Sequence, residues 1–457
     1  MPTKETILDN VGNYTPPQLV EFIQSEIVTY NELCNEEDFS APARAEVKRL
    51  LEQKPVTPPE PEPAPAPARD GDDDDLFGFD LDEFKSQVKQ MYDNPPIGKD
   101  AHKAVADLVS QELENENLSK QDLLGIIKRD NNFLSASTLY QLKKANKITT
   151  KDLTNCGIEK DFIELMNNDT KRGNFAPPSK PLNKICMTCT EVYFWGIPTS
   201  GKTCALGAIM SVANNGIVAK TMSKKNCQGY DYMNRLSLQF QRDKIKVLPG
   251  KTPTDSTYEM SFELTDKNNK VHPFTCIDIA GEVMLGMYDG DVNEPMEPVF
   301  KVLVDKATNN RKIHFFVIEY GGENRLFDGL TQQTYLESAV KYLKETNIFK
   351  KDTDAIYLIV TKTDMTGKTG TDLQKELRDY VNLHYRSFYT GLNQICHDNG
   401  INGGEVVCIP FSVGKVCFKY YCKFDDSAAS NVVRELLTRS KGFKSGKLQD
   451  ILNRFKR

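Results

Sequence analysis

The chain has 457 residues, 39% of them hydrophobic and 27% charged, with a net charge of −6 at pH 7. This length predicts two to four domains and allows a sizeable core, while the slightly acidic balance predicts no nucleic-acid partner. No run approaches the roughly 20 apolar residues of a transmembrane segment, and the polar N-terminus does not resemble a signal peptide, so we expect a cytoplasmic protein.

Residues 1–52 predict a small helical module. Pro16 and Pro17 suit the first turn of a helix after Thr15. The apolar residues that follow fall on one helical stripe, formed by Leu19, Phe22, Ile23 and Ile27. A second helix is expected over Pro42–Gln53. A piece of about 40 residues lies at the lower limit for independent folding.

Residues 53–80 predict a disordered linker that is first proline-rich and then acidic. Pro55–Pro67 contains seven prolines, which favour an extended, semi-rigid spacer. Asp70–Asp75 is acidic, and Leu76–Phe84 alternates acids with bulky apolar residues. The alternation indicates either a solvated linker that runs into a helix or a short motif that folds on a partner.

A second helical block is predicted over residues 81–176. Ser119 begins a Ser-x-x-Asp capping pattern ahead of an apolar helical face. Ile148–Leu153 is similar to Ile27–Leu33, which indicates either a weak internal repeat or chance, because Thr caps many helices. Neither helical region contains a set of His, Cys or carboxylate residues with catalytic spacing. We therefore expect both, with the acidic linker, to recruit protein partners.

From residue 185 onward, apolar strand-like runs alternate with amphipathic helical segments. Strands are predicted at Glu191–Trp195, Tyr258–Leu264, His272–Ile279, Lys312–Ile318, Ala355–Thr361 and Glu405–Pro410. Helices are predicted at Lys202–Ala213, Pro298–Ala307, Leu330–Glu345, Asp372–His384 and Ser427–Thr438. This alternation is typical of an α/β domain with a mostly parallel sheet flanked by helices.

Gly196–Thr203 matches the phosphate-binding pattern GxxxxGK[ST] between a predicted strand and a predicted helix. Glycines let successive N–H groups face one phosphate, and the following helix adds the positive end of its dipole. Lys202 is expected to reach the terminal phosphates, and the Thr203 hydroxyl is expected to ligate Mg²⁺. The nucleotide-binding residues predicted here are Gly196, Pro198, Thr199, Ser200, Gly201, Lys202, Thr203 and Cys204.

Two later segments predict the metal side and the base. Asp278 ends a predicted strand and would hold Mg²⁺ through water, while Gly281 would bring its bare N–H to the terminal phosphate. Asp364 follows another apolar strand. Its carboxylate could accept from both the N1–H and the exocyclic amine of guanine, whereas adenine has an unprotonated ring nitrogen at that place. These residues predict GTP and GDP as ligands and Mg²⁺ as cofactor.

On these motifs, the chain from about residue 185 to residue 438 resembles the Ras-like and translation-factor-like class of P-loop GTPases. Its Thr361–Asp364 segment is similar to the guanine motif [NT]KxD of that class. The Phe194–Thr203 segment also resembles poorly characterised bacterial GTPases predicted in multi-gene signalling or conflict systems. The resemblance implies further nucleotide contacts from Thr361 and Lys362, and from Ser412 and Val413 in a last base-contacting loop.

The resemblance also implies switch residues. The family carries a threonine that closes on Mg²⁺ and the terminal phosphate, for which Thr254 is favoured here and Thr252 comes next. Glu282 stands where Ras-like members have a glutamine that orients water, which predicts slow hydrolysis or hydrolysis that needs a partner's arginine. Met284–Pro298 resembles a mobile second switch. The implied catalytic residues are Lys202, Thr254, Gly281 and Glu282, and the implied metal ligands are Thr203, Thr254 and Asp278.

Two further segments have more than one interpretation. Residues 439–457 predict a basic amphipathic helix at the C-terminus of the 185–457 domain, with docking on the acidic linker or on an anionic surface as alternatives. Cys186 and Cys189 form a lone CxxC, for which buried thiols are favoured because a zinc site needs about four ligands.

The sequence as a whole predicts a GTP-hydrolysing molecular switch with slow intrinsic hydrolysis. Its N-terminal helical modules would recruit protein partners, and an activating protein is a further expected partner. The alternatives are a nucleotide-binding structural or assembly protein that hydrolyses little, and an ATPase, against which Asp364 argues.

Overall fold

The computed structural model describes residues 79–95, 100–168, 188–216, 218–250, 257–289, 308–346, 348–349 and 352–444, with eight isolated positions, namely Val11, Leu19, Phe22, Ile23, Val28, Leu33, Val47 and Ile185. The chain divides into one unit over Met1–Leu76 and another over Phe77–Arg457. In the first unit, Leu19, Phe22, Ile23, Leu33 and Val47 are helical. The structure does not describe the remainder of that predicted module, the predicted linker up to residue 78, or the predicted C-terminal helix beyond residue 444. The start of that helix, predicted at residue 439, is wrong, because the preceding helix ends at Arg439 and Phe443–Lys444 forms a strand.

In the second unit, the described residues before 169 form six helices. They are α1 (Leu81–Asp93), α2 (Ala101–Glu114), α3 (Lys120–Arg129), α4 (Ala136–Lys144), α5 (Thr150–Asn155) and α6 (Lys160–Asn168). The first five each begin after a residue whose side chain accepts from a first-turn N–H, the caps being Asp80, Asp100, Ser119, Ser135 and Thr149. The predicted cap at Ser119 is therefore present. These six helices are called the helical block below.

The rest of the unit alternates strands and helices. The strands are β1 (Thr190–Trp195), β2 (Lys220–Ser223), β3 (Ile245–Val247), β4 (Tyr258–Thr265), β5 (Lys270–Asp278), β6 (Arg311–Glu319), β7 (Leu326–Phe327), β8 (Leu330–Thr331), β9 (Thr353–Thr361), β10 (Val407–Pro410), β11 (Gly414–Cys417), β12 (Tyr421–Phe424) and β13 (Phe443–Lys444). The helices are α7 (Lys202–Asn214), α8 (Tyr230–Ser237), α9 (Gly281–Asp289), α10 (Gln332–Glu345), α11 (Gly370–His384), α12 (Arg386–Asn399) and α13 (Ser427–Arg439).

The main sheet has the strand order β10-β9-β6-β1-β5-β4-β2, and β13 pairs with the start of β5. The pairs from β10 to β5 are parallel, whereas β4 and β2 are antiparallel to their neighbours. The chain leaves β1 toward β4 and β5 on one side and later continues to β6 on the other. In such sheets, ligands bind at the carboxyl ends of the strands where the strand order reverses. That position is the carboxyl end of β1.

Both faces of the sheet are covered by helices. On β1, Val192 and Phe194 pack in the core with α7, α8 and α13, whereas Tyr193 and Trp195 pack in the core with α9, α10 and α12. All six residues of β1 are buried, as expected for a central parallel strand. The predicted α/β class with helices in front of it is confirmed.

A hairpin formed by β11 and β12, with β3 on its other side, joins the α/β domain to the helical block. Its turn residues Phe418 and Lys419 have positive φ values of 54° and 60°, which is uncommon for residues other than glycine. Phe418 is fully buried among the helices. Its N–H donates to the carbonyl oxygen of Asn131 at 3.0 Å, and its carbonyl accepts from the N–H of Ala136 at 2.9 Å.

Most element predictions agree with the structure. All six predicted strands are present with ends within two residues, and β4 and β5 turn at Asp266–Asn269 as expected. The predicted helix Pro298–Ala307 lies outside the described residues. The expectation of a mobile loop from Met284 is wrong for its first part, because Met284 lies in α9 and is fully buried.

Candidate nucleotide-binding site

The predicted phosphate-binding loop spans Gly196–Gly201 between β1 and α7. Thr199 and Gly201 have φ values of 68° and 84°, so the backbone curls before the helix begins at Lys202. A Cβ at Gly196 would lie 2.8 Å from the Ser200 Oγ, and a Cβ at Gly201 would lie 2.9 Å from the Thr361 Oγ1. Both glycines are therefore required by close approach. The loop lies at the carboxyl end of β1, where the strand order reverses.

Lys202 and Asp278 are brought together beneath this loop. The Lys202 Nζ donates to the Asp278 carboxylate, and the Tyr232 hydroxyl donates to the other oxygen of that carboxylate at 3.2 Å. The lysine side chain is 5% exposed and the aspartate is fully buried. A buried charge is costly unless it is paired, so each side chain stabilises the other.

Gly281 lies against the same loop. A Cβ at this position would be 2.4 Å from the Pro198 nitrogen and 2.7 Å from the Ile197 carbonyl carbon, so only glycine fits. Gly281 begins α9, and Glu282 follows in its first turn. Gly281 therefore packs directly against the phosphate-binding loop, three residues after Asp278, and Glu282 is the next residue of the helix.

The predicted base contacts meet at the ends of β9 and β10. These strands pair in parallel up to Val360 and Pro410, so the two loops that follow them lie side by side. The Ser412 hydroxyl donates to the Asp364 carboxylate at 2.8 Å. Asp364 is exposed, while Ser412 and Val413 are half-buried. An exposed carboxylate oriented by a hydroxyl can accept hydrogen bonds from a ligand.

Thr361 connects the base end to the phosphate end. Its hydroxyl donates to the carbonyl oxygen of Ser200 in the phosphate-binding loop at 2.7 Å. The next residue, Lys362, has a left-handed φ of 59° and donates to the Glu319 carboxylate. Glu319 is buried at the end of β6, the strand between β1 and β9. The ends of three adjacent strands, β1, β6 and β9, are therefore connected by hydrogen bonds along one edge of the sheet.

The structure describes two of the three expected magnesium ligands. Asp278 is at the loop and Thr203 lies in the first turn of α7, but Thr252 and Thr254 fall outside the described residues. Among the described residues, no three His, Cys, Asp or Glu side chains gather as a metal-binding group.

Cys186 of the CxxC pair is outside the described residues, and Cys189 is buried. Nor does any described helix have both the length and the apolar character that a membrane span requires.

Three residues at this edge were missed by the sequence analysis. They are Tyr232, which lies on the unpredicted helix α8, Glu319, and Arg325 in the loop after β6. Glu319 had a recognisable signal, because it is a charged residue that ends an apolar strand at the ligand-binding edge of the sheet. Tyr232 and Arg325 had none, because their contacts are with residues distant in sequence.

The described fold is an α/β domain with a GxxxxGK[ST] loop at the carboxyl end of the central strand β1. No protein-family model and no curated protein matches this sequence. Similar solved structures include a putative nucleolar GTP-binding protein 1 from Plasmodium falciparum, with 15% identity over 60% of this chain and 96% of that one and a TM-score of 0.26. The GTP-bound GTPase-like domain of Ski7 from S. cerevisiae has 14% identity over 55% of this chain and 51% of its own, with a TM-score of 0.26.

A third similar structure is the signal recognition particle receptor complex SRb-GTP/SRX from Chaetomium thermophilum. It has 13% identity over 50% of this chain and 94% of that one, with a TM-score of 0.28. Likeness at this level does not identify a ligand, so the function proposed below is based on the residues of the chain itself.

Proposed function

We propose that this protein binds GTP and hydrolyses it slowly as a molecular switch. The observation that carries the proposal is the hydrogen bond from Thr361 to the carbonyl of Ser200, which joins the predicted base motif to the phosphate-binding loop. One nucleotide can then extend from the loop at Gly196–Thr203 to Asp364. Asp364 is exposed and accepts a hydrogen bond from Ser412, so its carboxylate is oriented and accessible to a base.

Guanine is the base that fits a carboxylate at this place. When ionised, the Asp364 carboxylate accepts hydrogen bonds and donates none, and guanine offers two adjacent donors, its N1–H and its exocyclic amine. Adenine offers an acceptor in place of the first donor, so its ring nitrogen would face the carboxylate oxygen. This disfavours an ATPase.

The residues beneath the loop fit Mg²⁺ bound together with a nucleotide. A hydroxyl and a carboxylate are oxygen ligands of the kind that Mg²⁺ takes beside substrate phosphates, and Thr203 and Asp278 supply them. When bound, the ion would neutralise charge on the phosphates. Lys202 would then move its hydrogen bond from Asp278 to the terminal phosphates, and Gly281 would approach them with its backbone N–H. Thr254 remains the residue proposed for the first switch loop.

Glu282 supports slow hydrolysis. A glutamate can accept a hydrogen bond from water, but it also brings negative charge toward the terminal phosphate, where further charge is unfavourable. This residue also supports the second candidate function, a nucleotide-binding assembly protein that hydrolyses little.

The partners and location belong to the same proposal. The helical block, the N-terminal module and the acidic linker would recruit protein partners, and an activating protein would act at the switch loops. All nine described cysteines are free thiols, which supports a cytoplasmic location.

Nucleotide titration separates these functions. Binding of fluorescent GTP and ATP analogues to the full chain is measured with Mg²⁺ and with chelator, followed by phosphate release in a single turnover. We expect tight GTP binding that depends on Mg²⁺ and slow release of phosphate. Preference for ATP would overturn the guanine assignment, and GTP binding without any phosphate release would favour the assembly protein.

A further inference from the structure

Arg325 lies between three parts of the molecule that sequence analysis had treated separately. Its Nη1 donates to the hydroxyl of Thr199 in the phosphate-binding loop and to the carboxylate of Glu319. Its Nη2 donates to the carboxylate of Asp93 in the helical block at 3.0 Å. The side chain is only 12% exposed. One guanidinium therefore links the phosphate-binding loop, the end of β6 and helix α1.

The loop that carries Arg325 is held in place by backbone contacts. The N–H of Tyr320 donates to the carbonyl of Thr361 at 3.0 Å, and the N–H of Gly321 donates to the Tyr380 hydroxyl at 3.0 Å. Burial raises the pKa of Tyr380, which keeps that hydroxyl protonated. Its proton is donated to the carbonyl of Glu319 at 3.0 Å or to the Glu323 carboxylate at 2.7 Å. The guanidinium is thus attached to a fixed segment.

The Glu319 carboxylate holds Arg325 against the loop. Glu319 is 1% exposed and accepts from Arg325, Lys362 and Gln332. A Cβ at Gly322 would lie 2.3 Å from the Glu319 Cγ, so the carboxylate is packed tightly in one orientation. A guanidinium presents several donors in a rigid fork, so two of its nitrogens can be held while it still faces a further anion.

The position of Asp93 is electrostatically unfavourable within its own helix. It is the last residue of α1, where the helix dipole disfavours a negative charge. Its carboxylate is 20% exposed and pairs with Arg325. The ion pair offsets that unfavourable placement and fixes the second end of the guanidinium.

We propose that Arg325 is a catalytic residue that contacts the γ-phosphate and the β–γ bridging oxygen of the bound nucleotide from within the same chain. This inference rests on the proposed GTPase function. In hydrolysis, the water oxygen bonds to the γ-phosphorus while the bond from that phosphorus to the β–γ bridging oxygen breaks. GDP and inorganic phosphate form, and a water proton passes to the phosphate or to solvent. The guanidinium stabilises the charge that accumulates on the bridging oxygen.

Arg325 would thereby supply, from the same chain, the positive charge that one of the two expectations for Glu282 sought from a partner's arginine. The place is suitable, because Thr199 is exposed and belongs to the loop whose backbone would surround the phosphates. Helix α1 becomes part of the support of the active site through Asp93. Glu282 is expected to slow hydrolysis through its effect on the attacking water. Arg325 acts on a separate requirement, which is stabilisation of the charge on the bridging oxygen.

The test compares the full-length wild-type chain with Arg325→Ala, Arg325→Lys and Arg434→Ala. Arg434 is an exposed arginine of α13 that bonds to Asn431 and serves as the matched control. GDP affinity and single-turnover phosphate release from GTP are measured for each. We expect Arg325→Ala to slow phosphate release on the order of 10³-fold, while GDP affinity stays within about threefold. Arg434→Ala should match the wild type in both.

Arg325→Lys keeps a positive charge beside Glu319 and so preserves the fold if the alanine variant does not. Its ammonium cannot replace the fork of a guanidinium, so release should still be slow with GDP affinity retained. Wild-type release by Arg325→Lys, or equal losses of release and GDP affinity in both variants, would overturn the role of Arg325. Absence of GTP binding by the wild type would instead overturn the proposed function itself.

Discussion

Lys202 and Asp278 form a buried ion pair at the carboxyl edge of the sheet, directly beneath the loop that follows β1. The two residues are 76 positions apart and belong to the start of α7 and the end of β5. The pair keeps both charges satisfied inside the protein. A phosphate bound as proposed above would have to compete with Asp278 for the lysine.

Replacing Lys202 with Met tests both consequences of this pair. Removal of one partner leaves Asp278 buried without a counter-charge, so we expect the free energy of unfolding to fall by about 3 kcal/mol. Nucleotide binding should be lost. The double variant Lys202→Met/Asp278→Asn should recover part of the stability but none of the binding. Urea unfolding and titration with a fluorescent GTP analogue measure the two effects, and retained binding by Lys202→Met would contradict the phosphate role.

Asp364→Asn should shift the base specificity of the site from guanine toward xanthine. An amide offers donors as well as an acceptor, so it loses one of the two bonds to guanine but can donate to the 2-oxygen of xanthine. We expect GTP affinity to fall at least about 100-fold and XTP affinity to rise. Competition titration with the two nucleotides measures this. Asp372→Asn, on the exposed start of α11, is the matched control, and equal losses in both variants would argue against base contact by Asp364.

Glu282→Gln addresses the rate of hydrolysis. A neutral amide can orient water without adding negative charge near the terminal phosphate, so we expect single-turnover phosphate release to become about tenfold faster. Affinity for GDP should not change, because that ligand lacks the terminal phosphate. Fast release by the wild type that disappears in Glu282→Gln would show instead that the glutamate is the group that activates water.

Phe418→Ala should loosen the helical block without unfolding the sheet. Phe418 is fully buried among the helices, and truncation of a buried Phe costs about 3–5 kcal/mol. Amide hydrogen exchange in α4 should therefore accelerate on the order of 100-fold, while β6 stays protected. The control is Leu383→Ala, since Leu383 is 75% exposed on α11. Equal acceleration in both elements would mean that the block and the domain unfold together.

His314 should make stability depend on pH. It is buried in β6, where Trp195 Nε1 donates to its Nδ1 at 3.0 Å, and burial, with Lys312 nearby, lowers its pKa to about 3. The unfolded chain, with an ordinary pKa of about 6.5, takes up the proton first, so this contribution is complete above that pH and is lost as the pH falls toward 3. We expect a loss of about 2 kcal/mol between pH 7.5 and 5. His314→Gln should remove this slope in urea unfolding; an unchanged slope would contradict it.

The main strands could be predicted because they lie in the middle of the sheet. A strand buried on both faces, such as β1 or β9, contains an uninterrupted apolar run, Val192–Trp195 in β1 and Ala355–Val360 in β9, and this pattern is visible without any partner. The loop at Gly196–Thr203 and the acids at Asp278 and Asp364 were found because each follows such a strand. Their roles toward a nucleotide remain predictions.

The hairpin β11–β12 could not be predicted for a physical reason. Its turn places Phe418 and Lys419 in left-handed conformations that are usually taken by Asn and Gly, so no turn signal is present. The conformation is maintained by contacts with Asn131, Asn132 and Ala136, about 280 residues earlier in the chain. The ion pair between Arg325 and Asp93 could not be predicted either, because the sequence around each residue gives no sign of its contact with the other.

The hairpin also has a mechanical consequence. The segment from Ser412 to Gly414 connects β10, which is fixed in the sheet, with β11, whose hairpin is fixed in the helical block. A protein that pulls on those helices would therefore pull on the segment beside Asp364. Because Ser412 in that segment donates to Asp364, displacement of the helices would also change the orientation of the Asp364 carboxylate.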